Sequence, residues 1–384
     1  MDFSLNEDQR AFQDMAAAFA RDEMEPYARD WDEKSFFPVE TLRKAAALGF
    51  GGIYVREDVG GSALTRLDAA IIFEELAKGC TSTAAYISIH NMAAWMIDTY
   101  GADDLRRTYL PDLCSMTRFA SYCLTEPGAG SDAASLRTRA VDDGDHYILN
   151  GSKAFISGGG VSDVYVTMVR TGGEGPKGIS CVVIDKDTPG LSFGAQEAKL
   201  GWKSQPTAQV QFDDCKIPAN NLVGEEGKGF ATAMQSLDNG RLSVAAASCG
   251  YAKRILDTAL KYSMERKAFG EPISQFQLIQ AMLADSRAEL YAAECMLRDA
   301  SERVNRGKAI IEAASAKMFA SEMCNRVADR CVQIHGGAGY LAEYDAERFY
   351  RDSRIYTIYE GTTQILQLVI AKNMLREFEA GVPA

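Results

Sequence analysis

The sequence predicts an α+β chain in three successive parts: helices over 1–120, an antiparallel sheet or barrel over 121–229, and an antiparallel helical bundle over 230–384. Three observations carry this. In the first part apolar residues recur at helical spacing, as in Phe12, Met15, Phe19 and Met24. In the middle, short β-branched runs are separated by Gly, Asp and Pro, without the amphipathic helices that parallel βαβ units need. In the last part Leu242, Ala245, Ala246, Cys249, Ala252, Ile255, Leu256, Ala259 and Leu260 form one sustained helical stripe.

The elements follow in order. Ser4, with Glu7 three residues on, reads as the cap of the first helix. A second helix spans 38–48, with Pro38 in its first turn and Gly49 at its end. A third covers 65–78, opening after Gly60-Gly61 and closing at Gly79, and the Ala-, Ile- and Met-rich stretch 83–100 should be buried. Strands are expected at 147–151, where Asn150-Gly151 is a turn signal, and at 164–169, 179–184 and 210–213. Helix returns from Phe230, then over 276–304, 309–334, 345–353 and 363–376; long helices on short loops pack as an antiparallel bundle.

Composition removes several function classes. Of 384 residues, 47% are apolar and 9% aromatic, which argues against disorder. Lys and Arg number 41 against 53 Asp and Glu, a net charge of −12, which speaks against a nucleic-acid binder. Apolar runs fall well short of the roughly 20 residues that span a bilayer. The 9 Cys are odd in number, scattered and free of C-x-x-C, as a reducing compartment favours. The acidic N-terminus lacks an apolar h-region and an Arg-rich presequence, so folded protein is expected from the start. That suits a bacterial cytoplasm, or a mitochondrial matrix for a processed chain. The 3 His are too few and too scattered for a His-rich metal site, so no metal is expected and acid–base chemistry falls to a carboxylate.

One motif is an accident of sequence. Gly190-Leu191-Ser192-Phe193-Gly194 matches G-x-S-x-G, but Pro189 precedes it and no helix follows, so a hydrolase based on Ser192 is the weakest rival. No Walker A, H-E-x-x-H or G-x-G-x-x-G string occurs.

Four segments place Gly, hydroxyls and an acid where neither helix nor strand wants them. YCLTEPGAGSD at 122–132 frees backbone amides beside Thr and Ser hydroxyls, which can surround a polar heterocycle or a phosphate. AFISGGG at 154–160 sets an aromatic and a hydroxyl before a glycine run. QIHGGAGY at 333–340 ends a long helix with more glycines than a C-cap needs, as close approach of a ligand or another backbone requires. YEGTTQ at 359–364 puts Glu360 directly before a helix that Gly361 or Thr362 can cap. Each string alone also admits a plain reading: a linker turn, a flexible loop, or an acid stabilised by the helix dipole.

Together, in this order, the four strings resemble the acyl-CoA dehydrogenase family over essentially the whole chain. The resemblance implies a helical domain, a central β-barrel and a four-helix bundle, with FAD between barrel and bundle. It assigns flavin contacts to Tyr122, Leu124, Thr125, Gly130 and Ser131, to Phe155, Ile156 and Ser157, and to Thr362 and Gln364. Arg266, which matches the pyrophosphate contact, joins Phe269, Phe276, Gln277, Gln333, Gly336 and Gly337 as further cofactor residues. In the family these contacts come largely from across a subunit interface, so a homo-oligomer, usually a tetramer, is implied.

The implied reaction is α,β-desaturation of an acyl-CoA thioester, with electrons passed to electron-transferring flavoprotein. No side chain accepts a hydride, so the flavin is obligatory and takes it at N5. Glu360 is the implied base at the α-carbon, and Ser131, Asp238, Arg241, Tyr359 and Gly361 match substrate positions. Some family members carry the acid instead directly before the Arg of the bundle's first helix; here that place is Gly240. Closing such a site should raise the carboxylate's pKa. The strings at 150–158, 172–180 and 201–207 look most like members that oxidise isobutyryl-CoA to methacrylyl-CoA in valine breakdown. The C-terminal YEGTTQI reads more like short- and medium-chain members, which keeps butyryl-CoA and 2-methylbutyryl-CoA as alternatives. A peroxide-forming oxidase and a flavin-free scaffold of the same fold are the remaining rivals.

Overall fold

A computed structural model of the protein describes residues 4–307 and 309–381. The opening Met1, Asp2 and Phe3 of the acidic N-terminus lie outside them. Six helices come first: α1 (Glu7–Phe19), α2 (Ala28–Lys34), α3 (Val39–Ala47), α4 (Arg66–Gly79), α5 (Thr81–Tyr100) and α6 (Asp103–Cys114). Asn6, not Ser4, caps α1: its side chain accepts from the Gln9 N–H at 2.8 Å while Gln9 reaches back to the Asn6 N–H. The reciprocal pair closes two orphan donors at once, and this fixes the helix start two residues after the expected cap. Thr65 and Asp68 do the same for α4. α5 is buried along nearly its whole length, as its all-round apolar sequence demands.

Seven strands then form one curled sheet: β1 (Ala120–Cys123), β2 (Arg139–Asp142), β3 (His146–Ser157), β4 (Val164–Arg170), β5 (Ile179–Asp185), β6 (Leu191–Phe193) and β7 (Thr207–Pro218). Most pairs are antiparallel, the longest being β3 with β7 and β4 with β5. Two contacts differ from the antiparallel expectation: β1 runs parallel to β4, Ala120 opposite Val164, and β2 meets β4 in parallel at Arg139 and Arg170. The chain between β1 and β4 makes the β2–β3 hairpin, so this pairing is long-range and leaves no local periodicity. Ser192 sits mid-strand in β6, exposed and paired with β7, with no helix behind it, which removes the nucleophile elbow.

The rest is helical: α7 (Gly229–Glu265), a small hairpin of β8 (Lys267–Ala268) and β9 (Glu271–Pro272), then α8 (Gln277–Arg306), α9 (Ile310–His335), α10 (Asp345–Ser353) and α11 (Thr363–Glu379). α4 lies against α7 because Gly250 has no side chain; a Cβ there would overlap the Glu74 carbonyl. Buried Glu74 accepts from Lys253 and, at 3.1 Å, from Arg298, which ties α4 to α7 and α8. His90 joins the helical and sheet regions. Its Nδ1 accepts from the Ala120 N–H at 3.0 Å, so Nε2 carries the proton and donates to the Leu113 carbonyl at 2.9 Å. Burial pushes this ring down to about 4, and it stays neutral.

All 9 Cys are free thiols. Among the described residues no cluster of His, Cys, Asp or Glu could hold a metal ion, and no helix is long and apolar enough to cross a membrane.

Candidate active site

Thr362 caps α11, its hydroxyl accepting from the Ile365 N–H at 3.2 Å. The two residues before the cap are both left-handed, Glu360 at φ 55° and Gly361 at φ 93°. That conformation is routine for Gly and rare for Glu. It turns the Glu360 side chain back toward α7, where a Cβ on Gly240 would lie only 2.8 Å from Oε2. Oε2 is shut off from solvent and has no hydrogen-bond partner among the described residues. Burial raises this carboxyl to about 7, against the opposing pull of Arg241 and Lys317.

The surrounding groups come from every part of the chain. Arg241, buried on α7, donates from Nη1 to Asp238 at 2.5 Å, while its Nε has no partner among the described residues. Tyr122 on β1 is half-buried beside α7, with a hydroxyl that is shut off from solvent and has no hydrogen-bond partner among the described residues. Burial first, and then the Glu360 charge, hold that phenol well above its ordinary pKa. Tyr359 stands edge-on to Trp202 at 5.1 Å between ring centroids. Trp202 is itself fixed by its backbone N–H donating to Asp352 at 2.6 Å, so the 201–207 segment reaches across to the last helices.

The 122–132 segment is a built turn rather than a slack linker. Glu126 and Ala129 exchange backbone hydrogen bonds of 3.0 and 3.1 Å around Pro127-Gly128. The Glu126 carboxylate accepts from the N–H groups of Arg137 and Thr138 at 2.6 and 2.8 Å and pairs with Lys153 at 2.8 Å. Lys153 is fully buried and also donates to the Leu124 carbonyl at 3.2 Å, while the Thr125 carbonyl takes the Ala154 N–H. One ion pair thereby joins the 122–131 and 154–158 strings. Beside them Phe155 is left-handed at φ 57° and 67% exposed, while Ile156 is buried. Ser131 and Gly130 face solvent, and Gly158 packs tightly on Ser121 and Ser162, so its loop is not slack.

Thr362 and Gln364 line a cavity of about 600 Å³ with Arg326, Arg330, Tyr350 and Arg354. Buried polar atoms of Tyr122, Arg241 and Glu360 without partners among the described residues, an exposed Phe held in a strained turn, open Gly128 and Gly130, and an arginine-lined cavity together fit a flat heterocycle that carries phosphates.

A single chain does not bring the other expected cofactor residues here. Arg266 ends α7 about 39 Å along the helix from Gly240, and Gln333 lies about 24 Å along α9 from Lys317. Those residues gather at the far end of the bundle, where Tyr262 stacks on His335 at 4.0 Å and Phe269 meets Phe276 edge-on at 6.0 Å. Gln277 begins α8 there, and Gly336 and Gly337 have nothing within 4 Å of where a Cβ would stand. Phe269 is 97% exposed and Leu278 81%.

Lys317 had no sequence signal beyond being a lone cation among Ala313, Ala314, Ala316 and Ala320 on a buried face of α9. Glu126 and Lys153 sat inside quoted strings, yet only the folded chain pairs them.

Three family models match the chain: acyl-CoA dehydrogenase N-terminal domain over 6–117, middle domain over 121–215 and C-terminal domain over 227–375. Isobutyryl-CoA dehydrogenase from Bos taurus mitochondria is 53% identical over 375 residues, covering 97% of this chain and 90% of that protein. Butyryl-CoA dehydrogenase from Megasphaera elsdenii superposes with a TM-score of 0.95 at 37% identity, covering 98% of this chain and 100% of that one. A chain solved in work on the electron transferring flavoprotein of Acidaminococcus fermentans gives a TM-score of 0.95 at 40% identity, covering 98% and 100%.

Proposed function

This chain belongs to the acyl-CoA dehydrogenase family of FAD-dependent oxidoreductases, and on that premise we propose that it desaturates a short acyl-CoA branched at the α-carbon, isobutyryl-CoA to methacrylyl-CoA. Glu360 is the base that takes the α-proton. The observation that carries this is its carboxylate: Oε2 is buried and has no partner among the described residues, and burial lifts its pKa to about 7, near the value that serves a base at neutral pH. The Glu360 backbone N–H polarises the thioester carbonyl, which makes the α-proton more acidic as enolate charge develops. Arg241, with Asp238, orients the thioester above α7, Tyr359 and Gly361 border the acyl group, and Ser131 lines its path. The branched-chain choice is supported by the Bos taurus relative.

Bound FAD supplies the hydride acceptor for the β-carbon. Tyr122, Leu124, Thr125, Gly130, Ser131, Phe155, Ile156, Ser157, Thr362 and Gln364 would hold it within one chain. Arg266, Phe269, Phe276, Gln277, Gln333, Gly336 and Gly337 serve the site of a second copy, in a homotetramer. The exposed Phe269 and Leu278 support that assembly. Electron-transferring flavoprotein is the proposed acceptor, in keeping with the Acidaminococcus relative. The chain works in a bacterial cytoplasm or, if processed, a mitochondrial matrix.

The test is a kcat/KM panel of isobutyryl-, 2-methylbutyryl-, butyryl- and octanoyl-CoA, with flavin bleaching as the readout. A clear preference for a straight chain defeats the branched-chain reading. Glu360→Gln should keep flavin and thioester binding and lose turnover by orders of magnitude; near-normal turnover defeats the base.

A further inference from the structure

Lys317 is fully buried in the middle of α9, and among the described residues no carboxylate forms an ion pair with it. Its ammonium donates to the Gly361 carbonyl at 2.7 Å. That carbonyl closes the turn in which Glu360 and Gly361 are left-handed in succession. A buried ammonium with a single neutral acceptor is costly to keep, and burial pushes Lys317 down to about 8. The largest opposing influence is the charge of Glu360; Glu322 on α9 adds to it, and Arg241 on α7 acts against it. From the other side, Arg241 and Lys317 are the two cations that favour the ionised form of Glu360. Tyr122 and Tyr359 complete the titratable groups around that carboxylate, and both phenols stay neutral because burial raises them well above their ordinary value. Arg241 is already engaged with Asp238, which leaves Lys317 as the cation whose hydrogen bond and charge both act on the Glu360 segment.

We propose that Lys317 is a positioning residue for Glu360: it fixes the left-handed turn through the Gly361 carbonyl, and its charge favours the ionised carboxylate. The proposal deepens the reading of Glu360 as the base and rests on it. Lys317 acts through the Glu360 segment, by way of the Gly361 carbonyl.

The experiment measures the rate of flavin bleaching in single turnover against pH, with the flavin-loaded enzyme and the fastest thioester of the panel. Lys317→Met removes charge and donor at similar length. It should move the acid limb up by about one pH unit, a loss of about fivefold at pH 7 that approaches tenfold at lower pH and shrinks as pH rises. Lys317→Arg keeps the charge and should hold the limb within a few tenths of a unit of wild type. Lys317→Gln keeps a donor for Gly361 without charge, and carries the same reading if Lys317→Met does not fold. A Met or Gln enzyme that is slower by one factor at every pH, with its limb unmoved, overturns the proposal. Glu360→Gln is measured alongside: if it is active, the base assignment fails, whereas an inactive Glu360→Gln with an unmoved limb in the Lys317 variants removes only the role of Lys317.

Discussion

The backbone of Gly240 stands directly against the carboxylate of Glu360, and a Cβ at 240 would lie 2.8 Å from Oε2 and 3.0 Å from Cδ and Oε1. Glycine at this position leaves the space in which the acid sits. Gly240→Ala should therefore displace the carboxylate rather than unfold α7, since Ala favours helix over Gly. An ångström of misplacement is worth about a hundredfold in rate. The expected result is a folded, yellow enzyme with kcat down by about that factor, measured by steady-state turnover; an alanine enzyme with wild-type kcat would show that the acid has another place to go.

A base must be ionised to take a proton. With Glu360 raised to about 7, turnover should climb through pH 7 and flatten above it, and kcat/KM against pH measures this in the free enzyme. The same group marks stability with the opposite sense. Its folded pKa exceeds the ordinary carboxyl value of 4.5, so the folded chain holds a proton that the unfolded chain releases. The stability tied to that proton is present below 4.5 and lost as pH rises through 7. Glu360→Gln should therefore raise the melting temperature at pH 8 and change it little at pH 4, as calorimetry would record.

Glu126 and Lys153 form an ion pair with both side chains nearly or fully buried. Removing one partner strands the other charge, at a cost of about 3–5 kcal/mol. Lys153→Met and Glu126→Gln should each lower urea stability by that order and release flavin, because the pair joins the two strings assigned to it. The double variant should recover part of the loss, and full additivity of the two effects would contradict a coupled pair.

Phe269 extends into solvent from a left-handed turn at φ 52°, which is an expensive way to display an aromatic ring unless something covers it. Phe269→Asp should leave the isolated fold intact and shift the protein toward smaller species in sedimentation velocity. Flavin should be lost in parallel. A smaller species with undiminished flavin would dissociate the cofactor from the interface.

Much of this was legible in the chain itself, for reasons that differ by element. The long helices announced themselves through apolar stripes, whereas Glu360 drew notice only through the resemblance of four strings taken together, since its own string alone reads as an acid at a helix start. Asn6 displaced Ser4 as the first cap because its side chain and that of Gln9 bond each other's backbone N–H, a reciprocal geometry that only the folded chain shows. The parallel alignment of Ala120 with Val164 is a pairing across an intervening hairpin, which local periodicity does not report. Lys317 was silent: a lysine in an alanine-rich helix looks like any solvated cation until the fold buries it beneath Gly361.

The distance from Gly240 to Arg266 along one helix, about 39 Å, has a genetic meaning. On the proposed assembly each pocket draws its acid from one polypeptide and its distant guanidinium from another. Two separately dead alleles, one lacking Glu360 and one lacking Arg266, should then rescue each other when co-expressed, since some pockets in the mixed particles inherit both intact halves.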